Sequence, residues 1–320
     1  MISVNTNENN HQTCAIYNET GGVALVLVVW VIVVLTAIVG EFSFTMRTEI
    51  NIARNFKEGE EAYQLALAGL EKAKLELLSV NKAEVMYLDE EGMLLFGDEE
   101  EKPLRKGELG KGSFEYIITD EDGKLNINTA TEGQLKALFH DSGVDITEVD
   151  IIVDSIFDWR DDNDLHRLNG AEEDYYTSLE NPYSSKDGPF STVEEMLLVK
   201  GITNEILFGS KDNDEEDEEN YKGVAQYLTT YGSNMININT ASEPVLDIAL
   251  NPTNAQDVII RRESGPIYKP LARSKISSEY FTILSTGKNM DGSLKRTVKS
   301  VVRIIKKDLE TLYWNDNFIG

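Results

Sequence analysis

The pattern of the chain begins with an unbroken apolar run. Residues 23–39 read VALVLVVWVIVVLTAIV, with no charge and with Thr36 as the one polar side chain. As a helix this run rises roughly 26 Å, close to the depth of a bilayer's hydrocarbon core. No second run of this kind follows, so the pattern predicts at most one membrane crossing. Beyond it the periodicity turns amphipathic. Ile52, Phe56, Gly59, Tyr63, Ala66, Leu70, Ala73 and Leu77 recur at alternating steps of four and three, the spacing of one helical face. Charged residues such as Arg54, Lys57, Glu60, Lys72 and Glu76 take the other faces, and no proline stands between 23 and 78. One helix is therefore expected over 23–78, with Gly21-Gly22 breaking any helix that starts earlier.

After residue 79 the period shortens to that of strands. VMYL at 85–88 and MLLF at 93–96 flank Asp89-Glu90-Glu91-Gly92, which predicts a hairpin with an acidic turn. SFEYIIT at 113–119 alternates and then meets a turn at Asp122-Gly123. Residues 280–284 and 297–305 flank a second hairpin turn at Asn289-Met290-Asp291-Gly292. Strands from 79–124 and 275–320 are expected to share one antiparallel sheet against the stripe of the long helix, an α+β arrangement.

Residues 125–274 form an insert between these two parts. LNINTAT at 125–131 and ININTAS at 236–242 repeat at an offset of 111 positions. Each reads as a short extended piece followed by a polar cap before an apolar helix. Helices are expected at 132–139, 147–159, 192–199, 243–250 and 254–262. The insert is thus mostly helical, with two related halves.

Charge and composition narrow the function. The 320 residues carry 30 Lys+Arg against 56 Asp+Glu, a net charge of −26. A phosphate backbone is held by basic clusters, so this balance argues against a nucleic-acid binder. One cysteine excludes a disulfide framework and any paired-cysteine zinc site. The chain contains no Gly-x-Ser-x-Gly, HExxH or P-loop motif, and chance pairs among so many carboxylates are no sign of a hydrolase. The reading is non-enzymatic.

Two acidic clusters stand out. Asp158, Asp161, Asp162, Asp164, Glu172, Glu173 and Asp174 fall within 17 positions, around Asn169-Gly170. An all-oxygen set of this density suits Ca²⁺, although the EF-hand order is absent. A solvated acidic loop fits the same residues. The denser run at 212–219 has seven acids in eight positions and no apolar anchor. It reads as a self-repelling surface loop.

A short leader ending in Gly21-Gly22, an apolar opening of the chain behind it, and a continuous helix into a soluble part resemble type IV prepilins and the pseudopilins of type II secretion. LNINTA at 125–130, DWRDDNDLHRLNGAEEDYY at 158–176, PFSTVEEMLLVKGIT at 189–203 and ININTA at 236–241 resemble the inserted region of the large minor pseudopilin K. The resemblance implies a leader over 1–22, cut by a prepilin peptidase between Gly22 and Val23, with Gly21–Gly22 as the second choice of bond, and methylation of the new terminus. The mature fifth residue is then Leu27, where major pilins have Glu. The resemblance further implies a small pilin-like sheet, a single pass through the inner membrane, a periplasmic soluble domain, a place at the tip of the pseudopilus, and the minor pseudopilins I and J as partners. Calcium is known in this family, which favours the cation reading of the 158–174 cluster. The leader departs from the family in carrying Glu8 and Glu19 and no Lys or Arg. Charge alone would place such an N-terminus outside.

The insert also resembles the SAM-like and helix-hairpin-helix modules, whose Gly-x-Gly turn points backbone N–H groups at DNA phosphate. In Val199-Lys200-Gly201-Ile202-Thr203 the second glycine is Thr203, and Glu194, Glu195 and Glu205 surround the one basic residue. A membrane-anchored DNA receptor is therefore the alternative reading, and a structural helical module the favoured one.

Overall fold

The computed structural model describes residues 20–79, 85–97, 102–210, 221–306 and 308–318. The leader up to residue 19 and the acidic run at 212–219 lie outside the described residues. The fold is mixed α+β, and the chain divides into two units, Met1–Glu58 and Gly59–Gly320.

Helix α1 spans Thr20–Ser79. It starts before the glycine pair that was expected to break it. Gly21 and Gly22 lie in its first turn, where the N–H groups have no intrahelical acceptors anyway and glycine costs little. Among the described residues this is the one helix long and apolar enough to cross a membrane. The buried stripe is shorter than the periodicity suggests. Ile52 and Phe56 are exposed, whereas Ala62, Leu65, Ala66, Leu70, Ala73 and Leu77 are buried.

In the second unit the C-terminal half of α1 packs on a five-stranded antiparallel sheet. Its strands are β3 (Lys106–Leu109), β4 (Gly112–Asp120), β9 (Tyr280–Lys288), β10 (Lys295–Ile305) and β11 (Asp308–Asn315). Their order across the sheet is β11-β10-β9-β4-β3. The two ends of the chain thus meet along β4–β9, where Ile118 faces Ile283 across the ladder. The core beneath the helix is Leu70, Leu77, Tyr116, Ile118, Phe281, Ile283, Val298 and Val302. Helix and sheet approach closely at Gly287, where a Cβ would collide with the Ala62 carbonyl oxygen. The acidic-turn hairpin forms as β1 (Met86–Leu88) and β2 (Leu94–Phe96), but as a separate two-stranded sheet.

The insert leaves the sheet after β4 and returns before β9. Its repeat is real in three dimensions. β5 (Leu125–Asn126) pairs in parallel with β6 (Leu228–Thr229), and β7 (Ile236–Asn237) pairs in parallel with β8 (Ser274–Lys275). Each NINTA then leads into two helices: α2 (Glu132–Asp141) and α3 (Ile146–Arg160) in the first half, α6 (Glu243–Leu250) and α7 (Pro252–Arg262) in the second. Thr131 caps α2 in a full capping box with Gln134. The second asparagine of each motif clamps a distant peptide unit. Asn128 accepts from Phe190 N at 2.7 Å and donates to Phe190 O at 3.0 Å; Asn239 does the same with Ile267 at 2.9 and 2.9 Å. The last arginine of each helix pair closes the unit, Arg160 onto Ala130 O at 3.0 Å and Arg262 onto Ala241 O at 2.7 Å.

The helix expected at 192–199 is instead a 3₁₀ turn, Glu194–Leu198. Two short helices without a periodic signal are added, α4 (Glu173–Thr177) and α5 (Asn204–Phe208).

The insert is riveted to the sheet by buried carboxylates at the end of β4. Asp120 Oδ2 accepts from Asn237 Nδ2 at 3.0 Å and from the hydroxyls of Thr240 and Ser278 at 2.6 Å each. Burial pushes Asp120 up to about 6 against the hydroxyl bonds that lower it. Glu121 accepts from Thr229 and Thr282, and Asp122 pairs with Lys275 at 2.6 Å.

Candidate functional site

The acidic cluster occupies a place where the two halves of the insert differ. In the second half only residues 263–266 separate the closing Arg262 from the clamped Ile267. In the first half residues 161–189 separate Arg160 from Phe190. The loop, with α4 inside it, is an addition to one copy of a shared frame.

Its floor is aromatic. Trp159, at the end of α3, meets Tyr176 edge-on at 5.1 Å between ring centroids and stacks with Phe190 at 6.4 Å. The Trp159 indole N–H donates to Glu195 Oε1 at 3.0 Å. Above it the carboxylates divide into those that converge and those that bond elsewhere. Asp158 is fully buried and accepts from Arg167 N at 3.2 Å. Burial raises its pKa, and the nearby Asp161 raises it further. Glu172 is 2% exposed, and neither of its carboxylate oxygens has a hydrogen-bond partner. Burial first, then the charges of Asp158, Asp161, Asp187 and Asp164, push it up to about 7. A buried, unpartnered carboxylate facing four others is costly unless protonated or matched by a cation.

The remaining expected residues serve differently. Asp161 accepts from Asn163 N at 3.1 Å, and Asp162 and Asp164 are exposed. Glu173 turns to Ser185, accepting from its N–H at 2.8 Å, and this bond helps hold its carboxyl below the usual range. Asp174 is exposed and lies 3.0 Å from His166 Nε2. Asp187 and Asp154 join the site without a sequence signal. Asp187 arrives because Gly188 N bonds back to Trp159 O at 3.3 Å, a long-range return that local spacing does not encode. Among the described residues no three acidic, histidine or cysteine side chains already stand at metal-binding spacing. The donor set is nonetheless all oxygen and includes two orphaned atoms, the chemistry that a hard cation takes. The residues that would hold it are Asp158, Asp161, Asp164, Glu172 and Asp187.

Lys200, the basic residue of the helix-hairpin-helix-like turn, points into this loop. Its Nζ donates to Asn169 O at 3.2 Å and Gly170 O at 3.0 Å and lies 5.0 Å from the Tyr175 ring centroid. Thr203, in place of the second glycine, caps α5 by accepting from Ile206 N at 3.3 Å. At the other end of the chain, Gly22 and Val23 are exposed in the first turn of α1.

Residues 116–208 match the family model for protein K of the type II secretion system. They cover the C-terminal part of β4 and the first half of the insert as far as α5, with the acidic loop included. A protein of Escherichia coli (strain K12), "Putative type II secretion system protein K", is 25% identical over 205 residues, which cover 59% of this chain. The chain spans about 60% of that relative's length. One chain of the crystal structure of the GspK-GspI-GspJ complex from the enterotoxigenic Escherichia coli type 2 secretion system shares the fold, with a TM-score of 0.58 at 16% identity. The alignment covers 83% of this chain and 99% of that one. Sequence match and curated relative both liken this chain to protein K of the type II secretion system, and its fold is shared with a chain of the GspK-GspI-GspJ complex.

Proposed function

We propose that the chain is a structural, non-catalytic subunit at the tip of a type II secretion pseudopilus, serving protein export across the outer membrane. The observation that carries this reading is the large helical insert between β4 and β9 of a helix-on-sheet frame. Such bulk would clash within a filament shaft and is accommodated at its end. Leu27 in place of a glutamate fits the same position, because the tip subunit has no neighbour above whose terminal amine must be neutralised. In this reading α1 anchors the chain in the inner membrane, the soluble part is periplasmic, and the partners are minor pseudopilins of the I and J type. The loop carboxylates would hold calcium, which would supply charge neutralisation for Glu172 and Asp158.

The test of assembly is co-expression with the I and J subunits of the same secretion system. A ternary complex that survives size exclusion is expected, with no binding to duplex DNA at about 150 mM salt. Absence of the complex together with nanomolar DNA binding would turn the assignment to the membrane-anchored receptor.

Processing gives an all-or-none prediction. Co-expression with a prepilin peptidase should yield a chain whose mass corresponds to an N-terminus at Val23, methylated. Gly22→Asp should abolish the cut, because the peptidase needs a small residue there. An intact leader on the unaltered chain, in cells with active peptidase, would refute the pilin route.

A further inference from the structure

We propose that the turn at residues 167–170 presents Leu168, with Leu165 three residues earlier, as an apolar plug for a partner protein whose nonpolar socket is ringed by lysine and arginine. Leu168 is 95% exposed and Leu165 78% exposed. Leu168 follows Arg167 in a tight turn closed by Gly170 N donating to Arg167 O at 3.2 Å. Such tips are usually polar, since an apolar side chain there gains nothing from folding.

The turn is braced on both sides of this leucine. Before it, Arg167 N bonds the Asp158 carboxylate, the Arg167 guanidinium reaches Glu132 at 3.1 Å and Asp154 at 3.4 Å, and its plane covers the Phe157 ring at 4.1 Å. After it, Asn169 donates twice to Asp154 Oδ2 at 3.1 Å, and Lys200 binds the carbonyls of Asn169 and Gly170. Gly170 presses so closely on Asp158 that a Cβ would collide with its carboxylate. The polar and charged neighbours thus fix the backbone, and the leucine is left in solvent. Pre-organisation of this kind lowers the entropy cost of docking a side chain.

Charge selects the occupant. Asp162 and Asp174, outside the candidate cation set, stand exposed along the same loop, and the Arg167 charge is already matched by Glu132 and Asp154. A second copy would bring the same acids and a net charge of −26, and an anionic bilayer surface would be repelled. A socket rimmed by basic residues satisfies both the leucine and the acids. The proposal rests on the loop itself and stands whichever protein the chain assembles with.

The experiment places a photo-crosslinking amino acid at position 168 of the full-length chain, in cells that carry the secretion system, with Thr177 as an exposed control position. Crosslinked peptides are read by mass spectrometry. The expected adduct is a protein segment with apolar residues flanked by Lys or Arg. With the probe moved to position 165, Leu168→Ser should reduce the adduct by about tenfold. In isolated membranes, raising salt from about 0.05 to about 0.5 M should weaken it several-fold through screening. Leu168→Ser should leave the melting temperature unchanged, since the side chain is solvated. Adducts to lipid, to a second copy or to an acidic surface would overturn the proposal. So would a yield no higher than at position 177, or a lowered melting temperature for Leu168→Ser, which would make the leucine structural.

Discussion

Arg105→Ala is expected to destabilise the soluble unit by about 3–5 kcal/mol, the cost of leaving one partner of a buried pair alone. Arg105 is 8% exposed and stands where four pieces of chain converge. Its guanidinium holds Glu76 Oε1 of α1 at 2.7 and 3.0 Å and also bonds Leu94 O of β2, and its own carbonyl accepts from Tyr116 N of β4 at 2.9 Å. The Tyr116 hydroxyl completes the group, donating to Glu76 Oε2 at 2.7 Å. Burial and this bond to Glu76 keep that hydroxyl protonated well above the usual tyrosine range. Removing the guanidinium leaves a carboxylate at the helix–sheet seam with one hydroxyl to balance it. The melting temperature should fall by on the order of 10 °C. Arg105→Met combined with Glu76→Gln removes both charges and should recover most of the loss, because the pair is worth far less than either charge left alone. A double variant as unstable as Arg105→Ala would show that packing of the arginine stem, not the ion pair, holds the seam.

Much of this frame is legible in the sequence because it rests on periodicity. The steps of four and three that end at Leu77 give α1, and the alternation of 113–119 gives β4. NINTA followed by a polar cap gives α2 and α6. What is missed has local reasons. β11 (DLETLYWN) is an edge strand whose residues are all exposed or half-buried, so its pattern carries little contrast. The 194–198 segment satisfies its backbone by short-range bonds such as Met196 N to Val193 O and never completes an α-turn, although its apolar spacing suits one. At the candidate site the acids themselves were visible, but their division was not. Glu172 and Glu173 are neighbours of the same type. One is buried without a partner and the other is spent on Ser185, because the start of α4 turns them in different directions. Asp187 could not be found from spacing, since it reaches the site through a return of the chain. The repeat is readable, yet its most informative feature is three-dimensional: Asn128 and Asn239 clamp equivalent peptides. That equivalence isolates 161–189 as an addition to one half.

Calcium in the millimolar range should raise the melting temperature of the protein, and Mg²⁺, which gives up its water reluctantly, should do so much less. A ligand that binds only the folded form stabilises it by RT ln(1 + [L]/Kd), about 2.7 kcal/mol at a hundred times Kd. For a soluble unit of this size that amounts to roughly 5–10 °C. The sharpest variant is Glu172→Gln. It removes the buried, unpartnered charge, so it should stabilise the metal-free protein while abolishing the response to Ca²⁺. A mutation that merely damaged the loop would lower both. Asp161→Ala with Asp162→Ala should also weaken the response, whereas removing 212–219 should leave it intact. Trp159 gives a local optical reading, because its ring packs on Tyr176 of α4, the helix that Glu172 begins. The pH dependence has a definite sign. The folded carboxyl of Glu172 is raised from 4.5 to about 7, so between these values the folded chain holds a proton that the unfolded chain has released. This contribution to metal-free stability is full below about 4.5 and is lost as pH rises through 7. Saturating Ca²⁺ should offset that loss above pH 7, and its effect should fade as pH falls below about 7 and Glu172 takes up its proton. A melting temperature and Trp159 emission that ignore both Ca²⁺ and chelator, in protein shown to be metal-free at pH 7.5, would leave the 158–174 loop a solvated acidic turn.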